Sequence, residues 1–447
     1  YSYVPLPIPY HIFCENSIAN PSSLEKELRI FPQSDILYVI SVHTAPFFSV
    51  FRRLGTVFLL EKWPGTAPGP GGFTVNDLTF AVPTLFGLEG LCADEMRRLN
   101  LEGVQAENGR VLCRGSALDI ARLNLNLRTG ERVLLVLGSF PADNFDALFE
   151  GTKALPWERF IPREGQFPVK GHCLNSALHA VPACQAIVKK AVAARLGEKY
   201  GLNTLPETGA LYQIQFSIMK DTATLMLDTS GAGLHKRGYR AHGVVAPLRE
   251  TLAAAMVMLS WYKGRDPLCD PFCGSGTIPI EAALIAKNRA PGLNRTFSAQ
   301  KWAFVDKKLW LEAADQAMDQ EFDGDYEIWG GDLDPDAVEL ARHNAELAEV
   351  DDVVHFDVDD ARTFHWGGLY GRVVTNPPYG ERIMERKEAE ELYRAFGKAW
   401  AKFPDGWKLY LLSSHTEFER TFGKQADKKR KLYNGMLKCD LFMYGIK

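Results

Sequence analysis

Asp270-Pro-Phe-Cys-Gly-Ser-Gly-Thr277 lies between a short apolar run, Pro267 to Asp270, and an apolar segment of helical length, Ile278 to Lys287. Gly274 and Gly276 permit a tight turn and let a ligand approach the backbone, while the following helix presents free N–H groups. The third glycine of G-x-G-x-x-G is absent, and no G-K-[ST] follows, so neither the dinucleotide fingerprint nor the P-loop fits. What remains is a strand, a glycine loop and a helix, the opening unit of an α/β sheet.

The same unit recurs downstream. Glu327 to Gly330 reads as a strand and Asp336 to Ala348 as a helix, with Gly331-Asp-Leu-Asp-Pro335 between them. An acid at a second strand end can take both hydroxyls of a ribose, and Asp332 is assigned that place. Asp334, before Pro335, reads as the helix N-cap. Val353 to Phe356 is a third strand, followed by Asp359-Asp360, where an adenine amino group would want an acceptor. Arg372 to Thr375 is a fourth, and Asn376-Pro-Pro-Tyr379 follows it. Two prolines stiffen that loop and remove N–H groups. Its carbonyls and the Asn376 amide are left as acceptors for an –NH₂ group, with the Tyr379 ring as a stacking plate. Lys408 to Leu412 is a further strand. Asn434-Gly435, flanked by Arg430 to Tyr433 and Met436 to Cys439, is a strong hairpin signal. A mainly parallel sheet ending in an antiparallel hairpin is therefore expected, preceded by the helix Pro247 to Trp261.

Upstream, Leu78 to Val82, Val111 to Cys113 and Arg132 to Leu137 read as strands, with helices over Leu88 to Leu99 and Ala117 to Asn126. This is the pattern of a small α+β unit. A second such unit has helices over Phe145 to Leu155 and Pro182 to Tyr200. Its strands are Phe167 to Gly171 and the pair Tyr212 to Ile218 and Thr222 to Leu227. The basic loop Leu234-His-Lys-Arg-Gly-Tyr-Arg240 closes it. Residues 1–72 do not match the rest. They end in Pro64-Gly-Thr-Ala-Pro-Gly-Pro-Gly-Gly72, a linker by composition. The uncharged run Ile36 to Phe51 is only 16 residues long and carries Ser, His, Thr and Pro, so a membrane span is not expected.

Composition excludes a disordered tail, a fibrous repeat and a disulfide mini-domain: 447 residues, 46% hydrophobic and 24% charged. Net charge is −4, but it is unevenly spread. Trp310 to Asp360 holds 18 acidic residues and one basic, whereas Glu150 to Glu250 holds 13 basic and 8 acidic. A phosphate-binding surface on part of the molecule is one reading, and solvated faces are the other. Eight scattered cysteines without C-x-x-C spacing argue against zinc and for a reducing, cytoplasmic setting.

Asp270 to Thr277, Gly331 to Pro335 and Asn376 to Tyr379, in that order on successive strands, resemble the class I S-adenosylmethionine-dependent methyltransferases of the N-P-P-Y type. The longer string Asn376-Pro-Pro-Tyr-Gly-Glu-Arg382, with Leu234 to Arg240 before Ala246-Pro-Leu-Arg-Glu-Thr251, narrows the resemblance. It is similar to the bacterial ribosomal RNA guanine-N2 methyltransferases that carry a THUMP domain. The resemblance implies a ferredoxin-like domain at 73–144, a THUMP RNA-binding domain at 145–233 and a Rossmann-like methyltransferase domain at 234–447. It implies Asn376, Pro377, Pro378 and Tyr379 as catalytic residues, with the ring rather than the hydroxyl of Tyr379 acting. Asp270, Phe272, Gly274, Gly276, Thr277, Asp332, Asp334 and Asp360 would line the S-adenosylmethionine site. Lys189, Lys190, His235, Lys236, Arg237 and Arg240 would contact RNA, most simply ribosomal RNA. No metal and no membrane partner are implied, and Cys273 and His235 are given no chemical step. Adenine-N6 methylation of DNA or RNA, or RNA binding without catalysis, are the alternatives.

Overall fold

The computed structural model describes residues 78–240, 248–379 and 386–446. Residues 1–72, Gly380 to Arg382 of the N-P-P-Y-G-E-R string, and the expected helix start at Pro247 lie outside the described residues.

The first sheet is built from β1 (Leu78–Pro83), β2 (Glu102–Glu107), β3 (Arg110–Gly115), β4 (Leu134–Pro141), β5 (Val169–Leu174), β6 (Ile214–Met219) and β7 (Thr222–Asp228). Their order is β2-β3-β1-β4-β7-β6-β5. The sequence reads as two separate α+β units, yet one sheet runs through both. β4 pairs with β1 on one side (Phe80↔Leu135) and with β7 on the other (Leu135↔Leu227). β2, polar and largely exposed, has no apolar alternation from which to read it. Helices α1 (Glu89–Arg98), α2 (Ala117–Asn126), α3 (Phe145–Ala154) and α4 (Val181–Tyr200) cover this sheet. Their ends follow local chemistry. Ser116 N–H donates to Asp119 Oδ2 at the start of α2, Asn144 Oδ1 caps α3, and α4 stops at Gly201 with φ 64°.

The second sheet contains β8 (Leu268–Asp270), β9 (Ile328–Asp332), β10 (Val354–Val358), β11 (Tyr370–Thr375), β12 (Gly406–Ser413), β13 (Lys428–Asn434) and β14 (Leu437–Tyr444). The order is β10-β9-β8-β11-β12-β14-β13, with β14 antiparallel to both β12 and β13 and the other pairings parallel. It is the expected sheet with its terminal hairpin. The chain steps outward from β8 to β10 and then returns to β11, so a crevice opens at the carboxyl ends of β8 and β11. Helices α5 (Glu250–Leu259), α6 (Thr277–Ala286), α8 (Pro335–Leu347), α9 (Arg386–Trp400) and α10 (Phe418–Phe422) complete this part, and α7 (Lys307–Asp319) lies in the chain between α6 and β9.

α7 lies in the acidic block and was not expected as a helix. Its apolar face, Trp310, Ala313 and Ala317, is buried. Trp310 and Ala313 join Phe297 and Trp302 in the apolar core of the first sheet rather than the second. The Trp302 ring stacks on Tyr212 at 5.1 Å, and its indole N–H donates to the Leu211 carbonyl at 2.8 Å. The segment between α6 and β9 therefore fastens the second sheet to the amino-terminal sheet. Among the described residues no helix is long and apolar enough to cross a membrane. Nor is any group of three His, Cys, Asp or Glu side chains placed to hold a metal ion.

Candidate active site

Asp270 ends β8 fully buried. Its Oδ1 accepts from the Thr375 hydroxyl at 2.6 Å and from the Phe272 N–H at 3.1 Å. Burial pushes this carboxyl up to about 7, helped by the Asp332 charge and opposed by the two hydrogen bonds. Thr375 directly precedes Asn376. Asp270 thus latches the glycine loop to the Asn-Pro-Pro-Tyr loop from beneath, and this corrects the expectation that it lines the ligand surface.

The two glycines have different tasks. At Gly274 (φ 51°) an added Cβ would meet nothing within 4 Å, so the turn faces open space. At Gly276 (φ 81°) it would lie 2.9 Å from the Phe356 ring and 3.0 Å from Ala341, so this glycine permits helix-on-strand packing. Gly274 N–H donates to Asp332 Oδ2 at 2.9 Å, and Asp334 N–H donates to Asp332 Oδ1 at 3.1 Å. Asp332 is half-buried, turned to the open glycine turn. Asp334 is exposed and caps α8, accepting from Asp336 N–H at 3.0 Å. Cys273 is buried, and burial pushes its thiol well up, which leaves no thiolate to act as a nucleophile.

Three further expected ligand residues are engaged elsewhere. The Asp360 carboxylate holds the Arg362 guanidinium at 2.6–2.9 Å, and that hydrogen bonding pulls its pKa down. It is therefore already an ion-pair partner within its own loop. Thr277 is buried, and its hydroxyl accepts from Arg240 Nη2 at 2.6 Å. The Phe272 ring meets Phe396 edge-on at 5.2 Å and packs on the core below the loop.

Asn376 follows β11 half-buried. The Tyr379 hydroxyl donates to Asn376 Oδ1. The Tyr379 ring packs against the core between the sheet and α6. The hydroxyl, given no part by the sequence reading, holds the Asn376 amide. The Pro378 carbonyl accepts from Tyr393 of α9 at 2.6 Å. Pro377 is buried within the same stiff loop.

The expected basic surface separates into buried and exposed members. Arg237 is 3% exposed. It donates to Glu281 Oε1 at 3.2 Å and to the Leu234 and Arg128 carbonyls at 2.9 and 2.6 Å. It is an internal tie between the sheets, not a phosphate contact. Arg240 is likewise committed, to Thr277, the Leu248 carbonyl and Glu250. Lys189 pairs with Glu207 at 2.6 Å and lies over the Phe167 ring. His235 is half-buried, 3.7 Å from Glu131. Lys190 and Lys236 remain exposed. Sequence reasoning missed Thr375 and Tyr393, which act only through residues distant in the chain.

Residues 237–442 match the family profile described as "RMKL-like, methyltransferase domain". The chain belongs to the RMKL-like methyltransferase family. Residues 79–134 match an RlmL ferredoxin-like domain and 142–228 a THUMP domain, so the RMKL-like catalytic sheet follows an RNA-binding type of module. The chain is 44% identical to "Putative RNA methyltransferase YpsC" of Bacillus subtilis strain 168, over 80% of this chain and 93% of that protein. It is 34% identical to "Ribosomal RNA large subunit methyltransferase K/L" of Psychromonas ingrahamii, over 83% of this chain and 50% of that protein. It thus spans about half the length of that K/L relative. The crystal structure of SMU.472, complexed with SAH, is 41% identical and superposes with a TM-score of 0.78, covering 83% of this chain and 98% of that one.

Proposed function

We propose that this protein transfers the methyl group of S-adenosylmethionine to the exocyclic N2 amine of a guanine in ribosomal RNA. The arrangement that carries the reading is Asn376-Pro377-Pro378-Tyr379 at the carboxyl end of β11, latched through Thr375 and Asp270 to the open glycine turn of β8. The THUMP match, the RNA methyltransferase names of the relatives and the SAH complex of SMU.472 support it.

The residues fit the cofactor. Gly274 offers an unfilled cradle at the switch point of the sheet, and Asp332 presents a half-buried carboxylate beside it for a ribose. When bound there, S-adenosylmethionine supplies an electrophilic methyl group. The residues on the acceptor side do the rest. The guanine N2 lone pair is delocalised into the ring. Asn376 Oδ1 and the Pro377 carbonyl accept its two N–H groups, favour a pyramidal nitrogen and aim its lone pair. Asn376 Oδ1 has two lone pairs, so it can keep the Tyr379 hydroxyl while accepting from the amine. The target base leaves its helix to reach this loop and stacks against the Tyr379 ring.

The test is methylation, with labelled cofactor, of RNA from a strain lacking this protein, followed by nucleoside analysis. Label in N2-methylguanosine of ribosomal RNA is the expected result. Label in N6-methyladenosine, or in DNA alone, would replace the proposal by the adenine reading.

A further inference from the structure

Phe86, in the loop after β1, is 57% exposed, and its ring meets Tyr433 of β13 edge to face with centroids 6.2 Å apart. The loop is held firmly. Gly87 has φ 91°, its carbonyl accepts from Arg430 at 2.6 Å, and Leu88 is buried in the core of the catalytic sheet. An exposed aromatic on such an anchored loop is a built feature.

Tyr433 sits near the tip of the β13–β14 hairpin, where Met436 is 99% exposed. β12 ends at Ser413, opposite Asp440, but the hairpin continues to the Asn434↔Leu437 pair. Three further residues carry the tip roughly 10 Å past the end of β12. It rises on the edge of the sheet that holds Gly274, Asp332 and Asn376. Tyr379, which holds Asn376, packs on the same apolar core as Leu432, Leu437 and Cys439 of this hairpin, so the hairpin is continuous with the catalytic loop. Lys438 lies directly across from Tyr433, and Lys431 precedes it by two residues on the same face; both are exposed. Asp440, opposite Lys431, is the acidic residue on that face.

We infer that Phe86, Tyr433 and Met436, with Lys431 and Lys438, form a platform for the single-stranded RNA flanking the target nucleotide. Aromatic faces take unstacked bases whatever their sequence, and the lysines take the phosphates between them. Duplex RNA hides its base faces and has no use for the rings. The inference rests on the RNA reading above.

The experiment is equilibrium binding of a short labelled single-stranded RNA of mixed sequence, and of its duplex, to the full chain at several salt concentrations. Phe86→Ala should weaken single-strand binding about 10-fold, Phe86→Tyr should retain it, and duplex binding should not change. Lys431→Ala with Lys438→Ala should flatten the single-strand salt slope by about 1.4. These positions are exposed, and unchanged cofactor binding shows that each variant is folded. Wild-type affinity and salt slope in these variants would overturn the platform and leave the RNA reading standing. A wild-type protein that binds neither RNA would overturn the RNA reading itself.

Discussion

The Tyr393 hydroxyl, carried on α9, donates a 2.6 Å hydrogen bond to the carbonyl of Pro378. A proline loop has few N–H groups with which to anchor itself, so an outside donor on its carbonyl anchors the loop that carries Asn376. The Tyr393 ring is itself wedged edge-on between His415 at 5.8 Å and Phe418 at 5.0 Å. Tyr393→Phe keeps this packing and removes the hydroxyl, with its bond to Pro378 and its 3.5 Å approach to Ser413 Oγ. Stability should fall by about 1 kcal/mol. Turnover should fall about 10-fold with KM for RNA unchanged, because the loop orients the amine rather than binding the strand. A raised KM with turnover unchanged would show that the bond serves binding instead.

Asn376→Ala should bind cofactor and RNA as the wild type does and lose turnover by on the order of 10²-fold or more, as when one preorganised hydrogen-bonding group is removed. Single-turnover methylation with saturating RNA checks this. Tyr379→Phe separates the ring from the hydroxyl. With the donor to Asn376 gone, turnover should drop measurably although the stacking surface remains. Full activity in Tyr379→Phe would return the hydroxyl to the bystander role that the sequence alone implied.

Lys236 and Arg237 are neighbours with opposite fates, the first exposed and the second sealed against Glu281. Lys236→Ala should flatten the salt dependence of RNA binding by up to about one unit per neutralised phosphate and leave thermal stability unchanged. Arg237→Ala strands a buried carboxylate and should cost about 3–5 kcal/mol of stability. An Arg237→Ala protein of wild-type stability would place that guanidinium outside.

The parallel sheet and its hairpin were legible because buried strands, glycine turns and Asn434-Gly435 are local signals. So was the order of the site loops, each of which follows its own strand. Partnership was not legible. The basic run from His235 to Arg240 gives no local sign that Arg237 turns inward to Glu281 and Arg240 to Thr277, because both partners belong to α6. Likewise α7 mixes three acids and two lysines with its apolar residues, and its Trp310 face has meaning only against the amino-terminal core. Asp360 reads as an open acceptor until Arg362, two residues on, folds back onto it.

Asp270 supplies a pH test of the latch between the two site loops. In the unfolded chain its carboxyl titrates near 3.9, whereas in the fold burial raises it to about 7. Between those values the folded protein holds a proton that the unfolded chain has released. Its contribution to stability is therefore complete below about pH 4 and is lost as pH rises towards 7, after which the difference is constant. Asp270→Asn keeps an Oδ1 for the Thr375 hydroxyl and the Phe272 N–H but does not titrate. Relative to wild type, the variant should gain about 2–3 kcal/mol between pH 5 and pH 8. Denaturant midpoints of both proteins at the two pH values measure the gain. A difference that does not change with pH would mean that Asp270 is ionised throughout, and that the latch is a charged one.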